Sequence, residues 1–312
     1  MTQDNNTVLV TGGAGFIGSH LADRLLDAGR NVIAVDNLSS GKRENLRSPA
    51  RLEHMDIRDP KIKDLIADTR PGTVFHTAAQ ISVSVSAREP ALDADINVMG
   101  TLNLLDAVRL APGSPAKFVF VSTGGAMYGE PEDLPASESL PAMPGSPYGA
   151  SKHTVEVYLP VYKRLFGVQY SILRLANVYG PRQDPHGEAG VVAIFTRAML
   201  AGKEVTIFGD GKDERDYVFV GDVADALVAA AGGHGEGPYN VGTGIGANVN
   251  DLFAKLGELC GYTRAANYGP PRAGDIHRIS LSYKKIASDL GWAPQTDLID
   301  GLARTVAWFR QH

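Results

Sequence analysis

The sequence predicts a doubly wound α/β fold, in which a parallel sheet is covered on both faces by helices and carries a smaller C-terminal α/β lobe. Three observations lead there. Short β-branched runs alternate with helical periodicity through the first half of the chain, as a parallel sheet with crossover helices requires. The first of these runs, Val8-Leu9-Val10, passes directly into a glycine-rich turn that opens a helix. The chain has 312 residues, of which 44% are hydrophobic, enough for one large core with a smaller attachment.

In chain order, residues 16–28 form a helix with Ile17, Leu21 and Leu25 at near-helical spacing, and Gly29 ends it. Strands are expected over 31–35, 51–55, 73–76, 117–121 and 169–175, with helices in the gaps, notably over 91–109 and 148–165. After Leu175, Pro181, Pro185 and several glycines break the pattern before a helix over 191–200. Residues 217–220 and a helix over 223–231 read as a return to the first domain, while 251–259, 283–290 and 298–309 supply a C-terminal lobe. The expected division is therefore 1–176 with a returning segment of about 217–245, against 177–216 with 246–312.

Composition excludes several function classes. The net charge is −5 and there is no long Lys/Arg block, so duplex nucleic acid is not an expected partner. A lone cysteine, Cys260, forbids an internal disulfide, and the eight histidines lack metal-ligand spacing, so no metal is expected. Met1 to Thr7 is polar, and no run reaches the ~18 apolar residues of a membrane span. The expected location is the cytoplasm. The glycosylation sequons at Asn5 and Asn37 read as chance matches.

The turn after the first strand reads Thr11-Gly12-Gly13-Ala14-Gly15-Phe16-Ile17-Gly18. Glycines let the backbone approach a pyrophosphate, and the helix N-terminus offers N–H groups and a positive dipole end. Asp36 ends the second strand, close to the offset at which a carboxylate holds the adenosine ribose hydroxyls. A carboxylate there repels the 2′-phosphate of NADP, so NAD is the expected cofactor. Lys42 and Arg43 lie beyond the strand end and read as solvated loop charges.

The fifth strand delivers Ser122 and Thr123 to the sheet edge where such folds place their chemistry. Tyr148 and Lys152 lie one turn apart on a predicted helix, on one face. A tyrosine with a free pKa of about 10 is mostly protonated at neutral pH. Lowering it by ~3 units takes ~4 kcal/mol, which one cation ~4 Å away at an effective dielectric of ~20 provides. Lys152 is expected to be that cation, with the oxidised nicotinamide as a second.

Together these residues resemble the extended short-chain dehydrogenase/reductase superfamily over essentially the whole chain, which implies a Rossmann-type sheet. Within it the sequence is similar to the bacterial UDP-glucose 4-epimerases. The text that carries the resemblance is residues 36–41 (DNLSSG), 76–80 (HTAAQ), 121–129 (VSTGGAMYG), 146–152 (SPYGASK), 176–183 (ANVYGPRQ), 208–211 (FGDG) with 215–217 (RDY), and 271–275 (PRAGD). The resemblance implies a catalytic set of Tyr148, Lys152 and Thr123, with Thr123 preferred over Ser122 as the catalytic hydroxyl. It assigns to NAD Gly12, Gly15, Phe16, Ile17, Gly18, Asp36, Asn37, Leu38, Ser40, Gly41, Asp56, Ile57, Ala78, Ala79, Gln80, Asn97, Ser122, Tyr148, Lys152 and Val178. To the nucleotide sugar it assigns Thr123, Tyr148, Asn177, Val192, Thr206, Phe208, Arg215, Arg272 and Asp275, arginine suiting the diphosphate through its planar fork of donors.

The implied reaction is oxidation at carbon 4 of a UDP-hexose, rotation of the 4-keto sugar and return of the hydride to its other face. The expected substrate pair is UDP-glucose and UDP-galactose, and the expected assembly a homodimer through the helices over 91–109 and 148–165. Relatives that dehydrate or decarboxylate carry an acid just after the fifth-strand hydroxyl, where this chain has Gly124 and Gly125. Rival readings are a 4-epimerase of UDP-N-acetylglucosamine, UDP-glucuronate or a UDP-pentose, a nucleotide-sugar dehydrogenase, and a non-catalytic dinucleotide sensor. Ile279, four residues after Asp275, is expected either to wall the sugar pocket, leaving room for an acetamido group, or to pack the lobe.

Overall fold

The computed structural model describes residues 6–113, 116–185, 190–271 and 276–312. The chain runs β1 (Thr7–Thr11), α1 (Phe16–Asp27), β2 (Asn31–Asp36), β3 (Arg51–His54), α2 (Ile62–Thr69) and β4 (Thr73–His76), close to the expected bounds. After α3 (Val83–Arg88), the helix expected over 91–109 runs without a break as α4 (Pro90–Ala94), a π-helical turn over Asp95–Met99, and α5 (Gly100–Leu110). Next come β5 (Lys117–Thr123), α6 (Pro147–Phe166), β6 (Tyr170–Leu175), β7 (Asn177–Tyr179), α7 (Val191–Leu200), β8 (Thr206–Phe208) and β9 (Glu214–Phe219). The remainder is α8 (Val220–Gly232), β10 (Tyr239–Val241), β11 (Gly246–Asn248), α9 (Val249–Cys260), β12 (Asn267–Gly269), β13 (Arg278–Ile279), α10 (Lys284–Leu290) and α11 (Leu298–Phe309).

Seven strands form a parallel sheet in the order β10-β6-β5-β4-β1-β2-β3. Strand alternation sorts side chains to its two faces. Val8 and Val10 of β1 and Val119 and Val121 of β5 join a cluster with Leu21 and Leu25 of α1 and Val223 and Leu227 of α8. Leu9, Phe118 and Phe120 join the opposite cluster, with Ile62 and Ile66 of α2, Leu104 and Val108 of α5, and Val155 and Leu159 of α6. The strand order reverses between β1 and β4, which opens a crevice at the C-terminal ends of these strands. Thr11, Asp36, His76 and Thr123 all lie along that edge.

β9 sits inside a second sheet, paired with β11, β13 and β7, while β8 and β12 form a two-stranded ribbon. Phe195, Met199, Leu252, Leu256, Leu302 and Val306 pack beneath them as a separate core. The return to the main sheet thus comes later than the sequence suggests. The strand expected over 217–220 belongs to the second sheet, and the return is made by α8, which packs on α1, and by β10, which pairs with β6. α10 likewise leaves the lobe: it packs on β10 and sends Ile286 into the core of the main sheet. Periodicity shows that a segment has an apolar face but not which layer receives it. Among the described residues no helix is long and apolar enough to cross a membrane, and no cluster of His, Cys, Asp and Glu could hold a metal ion.

Candidate active site

The glycine loop is shaped by close backbone contacts. Gly12 has a φ of +67° and donates its N–H to Val35 O at 2.7 Å, and a Cβ there would stand 2.8 Å from Ala78 N. A Cβ on Gly18 would come within 2.1 Å of Gly12 O, so only glycine lets α1 start this close to the turn. The first turn of α1 has no side-chain cap, leaving Phe16 and Ile17 at a helix end suited to an anion. Asp36 is buried at the end of β2, where Oδ2 accepts from Ala14 N at 3.0 Å and Oδ1 from Leu38 N at 2.8 Å. Gly41 keeps the space beside both carboxylate oxygens clear, since a Cβ would lie 2.8 Å from each. This cradle, with a carboxylate at one end and an uncapped helix at the other, fits a dinucleotide.

The other residues expected at the cofactor surround this cradle unevenly. Leu38 takes a left-handed turn with φ of 57°, and Ser40 is exposed beyond it. Asn37 Nδ2 donates to Asp56 Oδ2 at 2.9 Å, and Arg58 grips Asp56 with two further side-chain bonds at 2.9 Å. The guanidinium holds the Asp56 carboxyl well below the usual carboxylate range. Ile57 packs in the core with Leu65 and Leu104, so its main chain is what a ligand can meet, and Val178 is half-buried between two cores. Ala78 and Ala79 lead from β4 to Gln80, whose N–H donates to Asn97 Oδ1 while Asn97 Nδ2 donates back to Gln80 O.

At the end of β5 the two hydroxyl residues point opposite ways. Ser122 Oγ donates to Glu156 Oε1 at 2.6 Å, and Glu156 forms a buried ion pair with Arg174 at 2.6 Å, braced by Tyr128. Thr123 instead accepts from Ala126 N at 3.2 Å and favours the ionised form of the Tyr148 phenol. Lys152 is buried, donates to Val121 O at 3.0 Å and lies 4.9 Å from the centre of the Phe120 ring.

One expectation about this pair is corrected. Tyr148 is not lowered by Lys152. Burial pushes the phenol up to about 12, helped by the charge of Asp93 and opposed by the Thr123 hydroxyl. The Lys152 ammonium is turned to a carbonyl and a ring, and burial brings it down to about 8 against the charges of Asp93 and Glu156. Further positive charge must reach the phenol before it ionises near neutral pH.

Asp93 itself is absent from the expected set. It is 1% exposed on α4, and Oδ1 accepts from Gln80 Nε2 at 2.8 Å and Asn97 Nδ2 at 3.1 Å. Asn97 Nδ2 also donates to Ser151 Oγ at 3.2 Å, and Ser151 Oγ to Tyr148 O at 2.9 Å, which ties the π-turn to α6. The available signal was the one-turn spacing of Asp93 and Asn97, which places two polar groups on one helix face.

On the lobe side, Asn177 begins β7, with its Oδ1 3.5 Å from where a Cβ on Gly125 would be. Thr206 and Phe208 flank β8, Phe208 being 44% exposed, and Arg215 lies on β9. Val192 is 1% exposed in the lobe core, because it falls on the inward stripe of α7, so its side chain does not meet a ligand. Ile279 is 2% exposed among Met127, Tyr128, Ala136 and Leu281, and so packs the core rather than walling an open pocket. Arg272 and Asp275 lie outside the described residues.

A model of the NAD dependent epimerase/dehydratase family matches residues 8–242. The chain belongs to that family. Its cofactor is accordingly NAD, as the cradle around Asp36 anticipates. Among family relatives, the UDP-glucose 4-epimerase of Mycolicibacterium smegmatis is 48% identical over 97% of this chain and 98% of its own length. The crystal structure of the Thermotoga maritima UDP-glucose 4-epimerase with UDP-glucose is 50% identical, with a TM-score of 0.95 over 98% of this chain and 99% of that one. The Thermus thermophilus UDP-glucose 4-epimerase in complex with NAD is 47% identical, with a TM-score of 0.92 over 97% and 99%.

Proposed function

We propose that this member of the family interconverts UDP-glucose and UDP-galactose by inverting carbon 4 of the hexose through a transient 4-keto sugar. The observation that carries the reading is the convergence of Thr123, at the C-terminal end of β5, with Tyr148 and Lys152, one turn apart on α6. NAD, held along Gly12, Gly15, Gly18 and Asp36, supplies a hydride acceptor and donor that is regenerated in each turnover. Tyr148 takes the proton of the 4-hydroxyl and later returns it, and Thr123 holds that hydroxyl in line. Lys152, buried one turn along α6, is the cation of the same pocket, and the oxidised nicotinamide would add the positive charge that ionises the phenol. In this reading Asn177 and Arg215 take the diphosphate, and Thr206 and Phe208 lie beside the uracil.

Elimination of water is disfavoured by the end of β5. Gly124 lies against Leu281, whose Cδ1 would stand 2.3 Å from a Cβ there, so an acid at this position would have to displace that side chain, and Gly125 contributes no proton donor. This supports oxidation and reduction alone. The same reading takes the protein as a cytoplasmic homodimer. Met99, Leu110, Val157, Leu165 and Phe166 are all exposed along the segment from the π-turn to α5 and along α6, an apolar surface suited to a second copy.

The test is incubation of the purified protein with UDP-glucose, UDP-N-acetylglucosamine, UDP-glucuronate and a UDP-pentose without added cofactor, read by chromatography. UDP-galactose should form from UDP-glucose, and denatured protein should release NAD. Stoichiometric consumption of added NAD without an epimer would replace this reading with a dehydrogenase.

A further inference from the structure

The wall opposite Tyr148 and Lys152 contains a third ionisable group to which the reaction just described gives no role. Asp93 is buried on α4, which packs directly against α6. Both hydrogen bonds it receives go to Oδ1, from Gln80 and Asn97, and Oδ2 is buried with no hydrogen-bond partner among the described residues. A buried carboxylate oxygen left without a donor is costly unless positive charge stands near it. The charged and titratable groups on the elements around it narrow the choice. α6 offers Tyr148, Lys152, His153 and Glu156, and Glu156 is already paired with Arg174. α3 offers Arg88, followed by Glu89, and in the π-turn Asp95 is paired with Arg58. On β4, His76 is held neutral by burial between Thr11 and Thr101. Lys152 is the buried cation of this set.

We infer that Asp93 is the fixed counter-charge of the Tyr148 and Lys152 pair: a carboxylate that keeps Lys152 an ammonium, keeps Tyr148 a phenol, and so sets the pH at which the site works. Its negative charge favours the charged form of the lysine and disfavours that of the tyrosine, in keeping with the directions found for both. Asp93 is thus a positioning residue, acting through Tyr148 and Lys152. Its hydrogen bonds to Gln80 and Asn97 serve to aim it, and the chain from Asn97 through Ser151 to the Tyr148 carbonyl fixes the two helices that carry the three groups. The inference rests on the proposed reading of Tyr148 as the base, but not on which sugar is turned over.

The sign of the effect gives the test. Asp93→Asn keeps an acceptor oxygen for Gln80 and Asn97 while removing the charge. In NAD-loaded protein, the phenolate absorbance of Tyr148, taken as the difference from a Tyr148→Phe control, should titrate at a pH lower by about one unit in the variant. Both limbs of the kcat profile for UDP-glucose should slide the same way, because Lys152 also loses its proton earlier, with KM little changed. An unchanged or raised phenol midpoint would overturn the inference, even if activity fell. Asp93→Ser is the second variant, and failure of both to fold would make Asp93 structural and equally overturn it. The phenol titration needs no sugar, so a protein inert towards every UDP-hexose would defeat the proposed function while leaving this measurement decisive.

Discussion

At the β1 and β2 end of the crevice the site is made of main chain, whereas at the β5 and α6 end it is made of side chains drawn from separate segments. Gly12, Gly18 and Gly41 act by lacking a side chain, and Asp36 is held by N–H groups within a few residues of the loop and strand it belongs to. Tyr148, Lys152, Thr123, Asp93 and Glu156 come from three distant stretches and act through charge and burial. The first kind of site is fixed by local conformation and tolerates a change in its surroundings. The second is a balance, and changing one member moves the others.

The comparison is tested most severely at its side-chain end. Tyr148→Phe should lower kcat by ~10²–10⁴, the usual range for a positioned general base, while the protein still purifies with NAD. Retention of near wild-type turnover would remove the phenol from the chemistry. Glu156→Gln leaves Arg174 buried without its partner and Ser122 with a weaker acceptor, and should destabilise the fold by ~3–5 kcal/mol in urea unfolding. A loss much below that would mean that Arg174 finds another partner, and the site would be less interdependent than described.

The main-chain end should respond more narrowly. Asp36→Ala removes a ribose partner for NAD and a repulsive charge for NADP, so the ratio of the two dissociation constants should shift toward NADP by about tenfold, with little change in unfolding temperature. Equal weakening of both would place Asp36 away from the ribose. The smallest effect is expected from Ile279→Val, about 1 kcal/mol of stability for one buried methylene, with the preference between UDP-glucose and UDP-N-acetylglucosamine unmoved. A change in that preference would return Ile279 to the sugar pocket.

The same division governs what could be read from the sequence. The glycine loop, Asp36, the strands of the main sheet and the spacing of Tyr148 and Lys152 were legible, because turn chemistry and periodicity are local signals. What escaped depends on partners far along the chain. Val192 and Ile279 are apolar residues whose burial is decided by the core they meet. β9 and α10 have the pattern of either layer, and only pairing with β11 or packing on β10 assigns them. The upward displacement of Tyr148 was hidden for the same reason: the sequence shows Lys152 nearby but not Val121 O claiming its ammonium, nor Asp93 across the interface.

The π-turn at Asp95–Met99 bears on how such a chain can change length. An α-helix advances ~100° per residue, and a π-turn absorbs one residue beyond that register. Deleting a residue there would regularise the helix but rotate Asp93 and Asn97 relative to Leu104 and Leu105, which are fixed in the core. Insertions and deletions are ordinarily absorbed by surface loops, where they cost little. Here one residue of length is locked inside a helix, so the spacing from Asp93 to Leu104 is fixed.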